Sequence, residues 1–157
     1  MKNINEIIPC VILAGGKGRR MGGKEKGLIN LLDRPLISYV LEKVSGKAAP
    51  IALNINTNFE KFKNFGYEIL EDPLKGHLGP LVGILASLNW AKNIRQKWVL
   101  TLPCDTPFLP QNLIESLLKV KNENPDLDLV VAKSRGFNHP VIACLLYTSD
   151  AADDETS

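Results

Sequence analysis

The 157-residue sequence has no uninterrupted apolar run of about 18 residues, the length a membrane-spanning helix needs. Its N-terminus carries an acid, Glu6, and no small-residue cleavage site, so no secretory signal is expected. Cysteine is sparse: Cys10, Cys104 and Cys144 are odd in number and widely spaced. That argues against a disulfide framework and suits buried, reduced thiols. No C-x-x-C pair occurs, and His77 and His139 lie far apart, which removes the usual zinc patterns. Net charge is only +2, so bulk charge gives no argument for nucleic acid. These absences leave a cytoplasmic globular protein, with no membrane and no nucleic-acid partner, as the expectation.

What is present fits one domain. Hydrophobic content of 45% and charged content of 23% are ordinary for a globular chain. A chain of this length buries about two-thirds of its unfolded surface and needs no staple. The charge is uneven, because Asp150, Asp153, Asp154 and Glu155 crowd the last residues and offset a basic remainder.

The most informative stretch runs from Val11 to Gly27, V-I-L-A-G-G-K-G-R-R-M-G-G-K-E-K-G. An apolar run that breaks into glycines reads as a buried strand feeding a loop. Glycine lets backbone approach a ligand closely, and successive amides can form an anion nest. Five Lys or Arg side chains, Lys17, Arg19, Arg20, Lys24 and Lys26, surround that nest, so the natural guest is a polyphosphate. Two familiar motifs fail on spacing. A P-loop needs Ser or Thr after the lysine, and Glu25 follows Lys24. The G-x-G-x-x-G fingerprint, forced onto Gly16 and Gly18, puts Met21 at its third glycine.

The remaining pattern alternates strands and helices. Strands are expected over 7–13, 51–56, 67–70, 98–102 and 127–132, with another beginning at His139. Helices are expected over 36–47, 59–64, 81–91 and 111–122. Pro35 suits a first helical position. Leu81, Ile84, Leu85 and Leu88 mark the buried face of the third helix. This spacing argues for βαβ units, a mostly parallel sheet and a three-layer α/β domain.

Asp105 follows an apolar strand, within L-P-C-D-T-P-F-L-P. Ligands of open α/β sheets bind at the strands' carboxyl ends. A carboxylate held there by nearby prolines suits Mg²⁺, and a helix-capping Asp is the plainer alternative. Lys26 suits charge building at an α-phosphate, and Arg20 suits β- and γ-phosphates. Lys17 and Arg19 fit similar work or simple solvation. Asn54 and Asp72 read, on spacing alone, as turn formers. Asn56 to Asn58 reads likewise, and Glu25 supports no functional conclusion. His139, a lone histidine at a strand start, is given no proton-transfer role.

The L-A-G-G-x-G-x-R-M-G…K-G pattern, with PCDTPFLP and the G-P-L-V-G of residues 79–83, resembles the molybdenum cofactor guanylyltransferase family. The resemblance implies a Rossmann-like nucleotidyltransferase fold. It implies transfer of GMP from Mg-GTP to molybdopterin with release of pyrophosphate, and Mg²⁺ as cofactor. It implies a nucleotide site at Leu13, Ala14, Gly15, Gly16, Lys26, Asn54, Asp72 and Asp105. Asp105 is then the metal ligand, and Arg20, Lys26 and Asp105 are the catalytic set. Contact with other proteins of cofactor biosynthesis is a further implication. The family carries Asp where Glu25 stands, which keeps the charge. Two alternatives stay open: a relative using CTP or a sugar phosphate, and a nucleotide-binding module without catalysis.

After Cys144 the sequence turns small and acidic, without periodicity. The expectation is a transferase domain over 1–144, cut short at its C-terminus. Residues 145–157 would then be a disordered, non-native tail.

Overall fold

Strand β1 (Ile8–Leu13) is buried at every residue, as its apolar run requires when both faces are covered. The computed structural model describes residues 7–15, 20–21, 24–74 and 79–147. With β1 it builds a six-stranded sheet from β6 (Ala48–Asn54), β7 (Glu68–Leu70), β8 (Trp98–Pro103), β9 (Leu129–Ser134) and β10 (Phe137–Leu146). Four two-residue strands, β2 (Arg20–Met21), β3 (Lys24–Glu25), β4 (Asn30–Leu31) and β5 (Arg34–Pro35), form two separate antiparallel ladders.

The main sheet has the order β7-β6-β1-β8-β10-β9. β6 and β8 flank β1 in parallel, and β7 is parallel to β6. The chain runs outward from β1 through β6 to β7, then returns to the far side of β1 as β8. That reversal is a switch point, and it opens a crevice at the carboxyl end of β1. β10 is antiparallel to both β8 and β9, so it alone runs against the sheet. The tight turn before it places Arg135 at φ 49° and Gly136 at φ 82°, the left-handed pair that fits a two-residue hairpin.

Alternate residues of β1 feed two cores. Ile8, Cys10 and Ile12 pack with α1 (Leu36–Val44), α2 (Phe59–Lys63) and α4 (Leu113–Glu123), through side chains such as Ile37, Phe62 and Leu117. Val11 and Leu13 pack with Trp90 and Ala91 of α3 (Leu81–Asn93) on the other face. This is the expected three-layer α/β architecture. Each large apolar side chain so buried contributes about 1.5–3 kcal/mol.

Three local expectations need correction. Pro35 caps α1 from just outside, at ψ 146°, and the helix ends at Val44 instead of continuing to residue 47. The buried face of α3 is Val82, Gly83, Ala86, Ser87, Trp90 and Ala91, whereas Leu81 is exposed. Small residues let this helix sit close on the sheet, and leucine periodicity does not register them. β6 begins at Ala48, so Pro50 lies inside the strand.

Cys10, Cys104 and Cys144 are free and buried. Burial pushes the Cys10 thiol far above its ordinary range, and Cys144 adds to the shift. Among the described residues no helix is long and apolar enough to cross a membrane. β10 continues to Leu146, beyond the Cys144 at which the expected domain ends. The Tyr147 N–H then donates to the Lys97 carbonyl at 2.7 Å.

Candidate active site

The carboxyl end of β1 is pinned on both sides. The Ala14 N–H donates to the Asn54 carbonyl at 3.0 Å, and the Cys104 N–H donates to the Leu13 carbonyl at 3.1 Å. The turn after Leu13 therefore leaves the sheet between the ends of β6 and β8.

On the β6 side lies a small cleft lined by Leu13, Gly15, Asn54, Asp72, Gly79, Pro80 and Gly83. Asn54 is its floor and is only 2% exposed. Its Nδ2 donates to the Leu70 carbonyl at 3.2 Å and to Asp72 Oδ1 at 2.8 Å. Asn56 grips Asp72 twice: its Nδ2 donates to Oδ2 at 2.8 Å, and its Oδ1 accepts from the Asp72 N–H at 2.7 Å. Both carboxylate oxygens are thus fixed, yet each keeps lone-pair capacity for another donor. Asn54 Oδ1 points between two glycines. A Cβ on Gly83 would lie 2.7 Å from it, and one on Gly15 would lie 3.2 Å away. The cleft therefore offers an amide acceptor and an oriented carboxylate side by side. Such a pair recognises a planar group that carries N–H donors.

On the β8 side the chain after β3 returns to the sheet. A short 3₁₀ turn (Lys26–Leu28) packs on Cys104. A Cβ on Gly27 would stand 3.1 Å from Cys104 Sγ and 3.3 Å from its Cβ. Lys26 and Asp105 are the chain neighbours of Gly27 and Cys104. Asp105 is half-buried in the turn after β8, where the Thr106 hydroxyl donates to the Pro103 carbonyl at 3.3 Å. Among the described residues no cluster of three His, Cys, Asp or Glu side chains could cage a metal alone. A single rigid carboxylate does fit a hard cation that takes its other oxygens from bound phosphates.

Of the expected site, Leu13, Gly15, Asn54 and Asp72 line one cleft, and Ala14 joins β1 to it. Lys26 opens the 3₁₀ turn whose Gly27 packs on Cys104, and Asp105 follows Cys104 after β8. The Arg20 backbone pairs opposite Glu25, one residue from Lys26. Gly16, Lys17, Arg19 and His77, together with the Arg20 side chain, lie outside the described residues. His139 bonds Ser134 at 2.7 Å on the exposed hairpin and does not line the cleft.

Four side chains escaped the sequence reading: Glu25, Asn56, Thr57 and Asn58. Glu25 is 6% exposed, and its Oε1 accepts from Thr57 Oγ1 at 2.9 Å and Asn58 Nδ2 at 3.0 Å. The only available signal was a charged residue kept between two lysines beside a polar strand end.

Known proteins share this fold. The model of the MobA-like NTP transferase domain matches residues 10–154. The molybdenum cofactor guanylyltransferase of Shewanella pealeana is 37% identical over 138 residues, covering 88% of this chain and 67% of the relative. That of Rhodopseudomonas palustris (strain BisB5) is 39% identical over 137 residues, covering 86% and 65%. The chain thus spans about two thirds of the length of these relatives. Molybdopterin-guanine dinucleotide biosynthesis protein A from Archaeoglobus fulgidus superposes with a TM-score of 0.69 at 27% identity, covering 94% of this chain and 70% of that one. A buried β1 opening into a glycine turn, a cleft on the β6 side and a carboxylate on the β8 side occur here within that match, and the chain belongs to the MobA-like NTP transferase domain family.

Proposed function

We propose that this chain transfers GMP from GTP to molybdopterin and releases pyrophosphate, in the cytoplasm and with Mg²⁺ as the cation. The observation that carries the guanine assignment is the Asn54–Asp72 pair. A carboxylate accepts from both the N1–H and the N2 amine of guanine, and cytosine offers no such pair of donors. The names of the relatives support the acceptor.

In this reading the Ala14 amide stays bonded to Asn54, and the Gly15 amide and the Lys26 ammonium hold the triphosphate. The terminal phosphate oxygen of the acceptor attacks the α-phosphorus. The bond from the α-phosphorus to the bridging oxygen breaks, and its electron pair leaves with pyrophosphate. The attacking phosphate is already an anion at neutral pH, so little base catalysis is needed. Lys26 offsets the charge that grows on the α-phosphate oxygens. Arg20 pairs with the leaving phosphates. Asp105 would hold the divalent cation, which would neutralise triphosphate charge that otherwise repels the acceptor. The residues' main contribution is alignment.

The test is pyrophosphate release with molybdopterin and GTP, CTP or ATP. GTP is expected to be favoured at least about tenfold, because a buried polar group left unpaired costs about 1–3 kcal/mol. Equal or faster turnover of CTP overturns the guanine assignment. GTP binding without pyrophosphate release overturns the transferase assignment.

A further inference from the structure

Three consecutive side chains after β6 reach both halves of the site. Asn56 clamps Asp72 in the cleft through the two bonds at 2.8 and 2.7 Å. Thr57 and Asn58 converge on Glu25 Oε1, at 2.9 and 3.0 Å. Glu25 directly precedes Lys26. The backbone of Asn58 takes φ 58°, in the left-handed region that Asn tolerates better than most residues. The chain thus turns just after Asn56, and the next two side chains meet one carboxylate oxygen. Three of the four bonds end on carboxylate oxygens, and charge-assisted bonds of this kind are the stronger class. Glu25 is nearly inaccessible to water, so these contacts are not easily exchanged for solvent.

We propose that Asn56, Thr57 and Asn58 are positioning residues that couple occupancy of the base cleft to the placement of Lys26. A guanine that settles on Asp72 fixes Asn56. The same short segment then fixes Glu25 and the lysine beside it. Base and phosphate groups accordingly bind with positive cooperativity, and a wrong base lowers turnover as well as affinity. This inference rests on the guanine-nucleotide reading above, and the two fail separately in the following experiment.

Guanosine and Mg-pyrophosphate are titrated separately and then together by calorimetry. In the wild-type chain each is expected to raise the affinity of the other about five- to tenfold. Thr57→Val with Asn58→Gly removes the Thr57 and Asn58 donors to Glu25, and glycine keeps the left-handed backbone. In that variant the coupling is expected to fall below about twofold, with guanosine affinity alone changed less than about threefold. Thr57→Ser keeps the hydroxyl and is expected to keep the coupling. Thr57→Val alone, a milder change, is expected to lower it in part. Unchanged coupling in either valine variant overturns the proposal, as does a wild-type chain that binds both probes independently. A wild-type chain that binds neither guanosine nor GTP overturns the functional reading, and the coupling with it.

Discussion

Asp105→Ala lowers the rate of pyrophosphate release by about a thousandfold or more. A cation or donor that neutralises transition-state charge is worth several kcal/mol, and about 4 kcal/mol is a thousandfold in rate. Asp105 stands just past the end of β8, and among the described residues no cluster of ligands replaces it. The loss falls mainly on kcat, because the base cleft lies on the other side of β1 and keeps its contacts. Asp105→Asn keeps the shape of the side chain and removes its charge, so it should lose nearly as much. Stopped-assay measurement of pyrophosphate at saturating GTP checks this. Wild-type turnover in Asp105→Ala refutes the metal role.

Gly15→Ala lowers GTP affinity by about a hundredfold. The added Cβ would stand 2.2 Å from Asn56 Nδ2, a distance that forces movement. Asn56 is the end of a short side chain and could swing aside in isolation. Here both of its amide atoms are engaged with Asp72. Moving it gives up two bonds, one of them charge-assisted, and each of these is worth about 1–3 kcal/mol. Replacing glycine with alanine also stiffens the unfolded chain, but that gain is only about 0.4–1 kcal/mol. The clash outweighs it, and the cleft loses the orientation of its carboxylate. Calorimetric titration of GTP into the variant measures the effect. An affinity within about threefold of the wild type contradicts the geometry claimed for the cleft.

The architecture was legible where one physical signal acted alone. The uninterrupted apolar run of β1 declares a strand covered on both faces, and the glycines after it declare a turn at the switch point. Asp105 could be placed at a strand's carboxyl end because P-C-D-T-P follows a short apolar run. The antiparallel course of β10 was not legible, since a strand's direction leaves no mark on its composition. The small-residue face of α3 was missed because Gly83, Ala86 and Ser87 pack by being small, and periodicity counts large apolar residues. Asn54 and Asp72 entered only through family resemblance, because the same residue types form turns. Asn56, Thr57 and Asn58 were read as turn formers for that reason. Asn58 does turn the chain, but their side chains also tie Asp72 to Glu25, and long-range partners of this kind appear only once β6, β7 and the phosphate loop are brought together.

The central claim is that the turn after β1 holds a GTP with its base on Asn54 and Asp72 and its phosphates between Lys26 and Asp105. A crystal structure of this chain soaked with GTP and Mg²⁺ tests it most directly. The account predicts guanine in the cleft against Asp72, triphosphate over the turn after Leu13, and the cation on the Asp105 carboxylate. Guanine bound away from that cleft, or a cation held without Asp105, contradicts it.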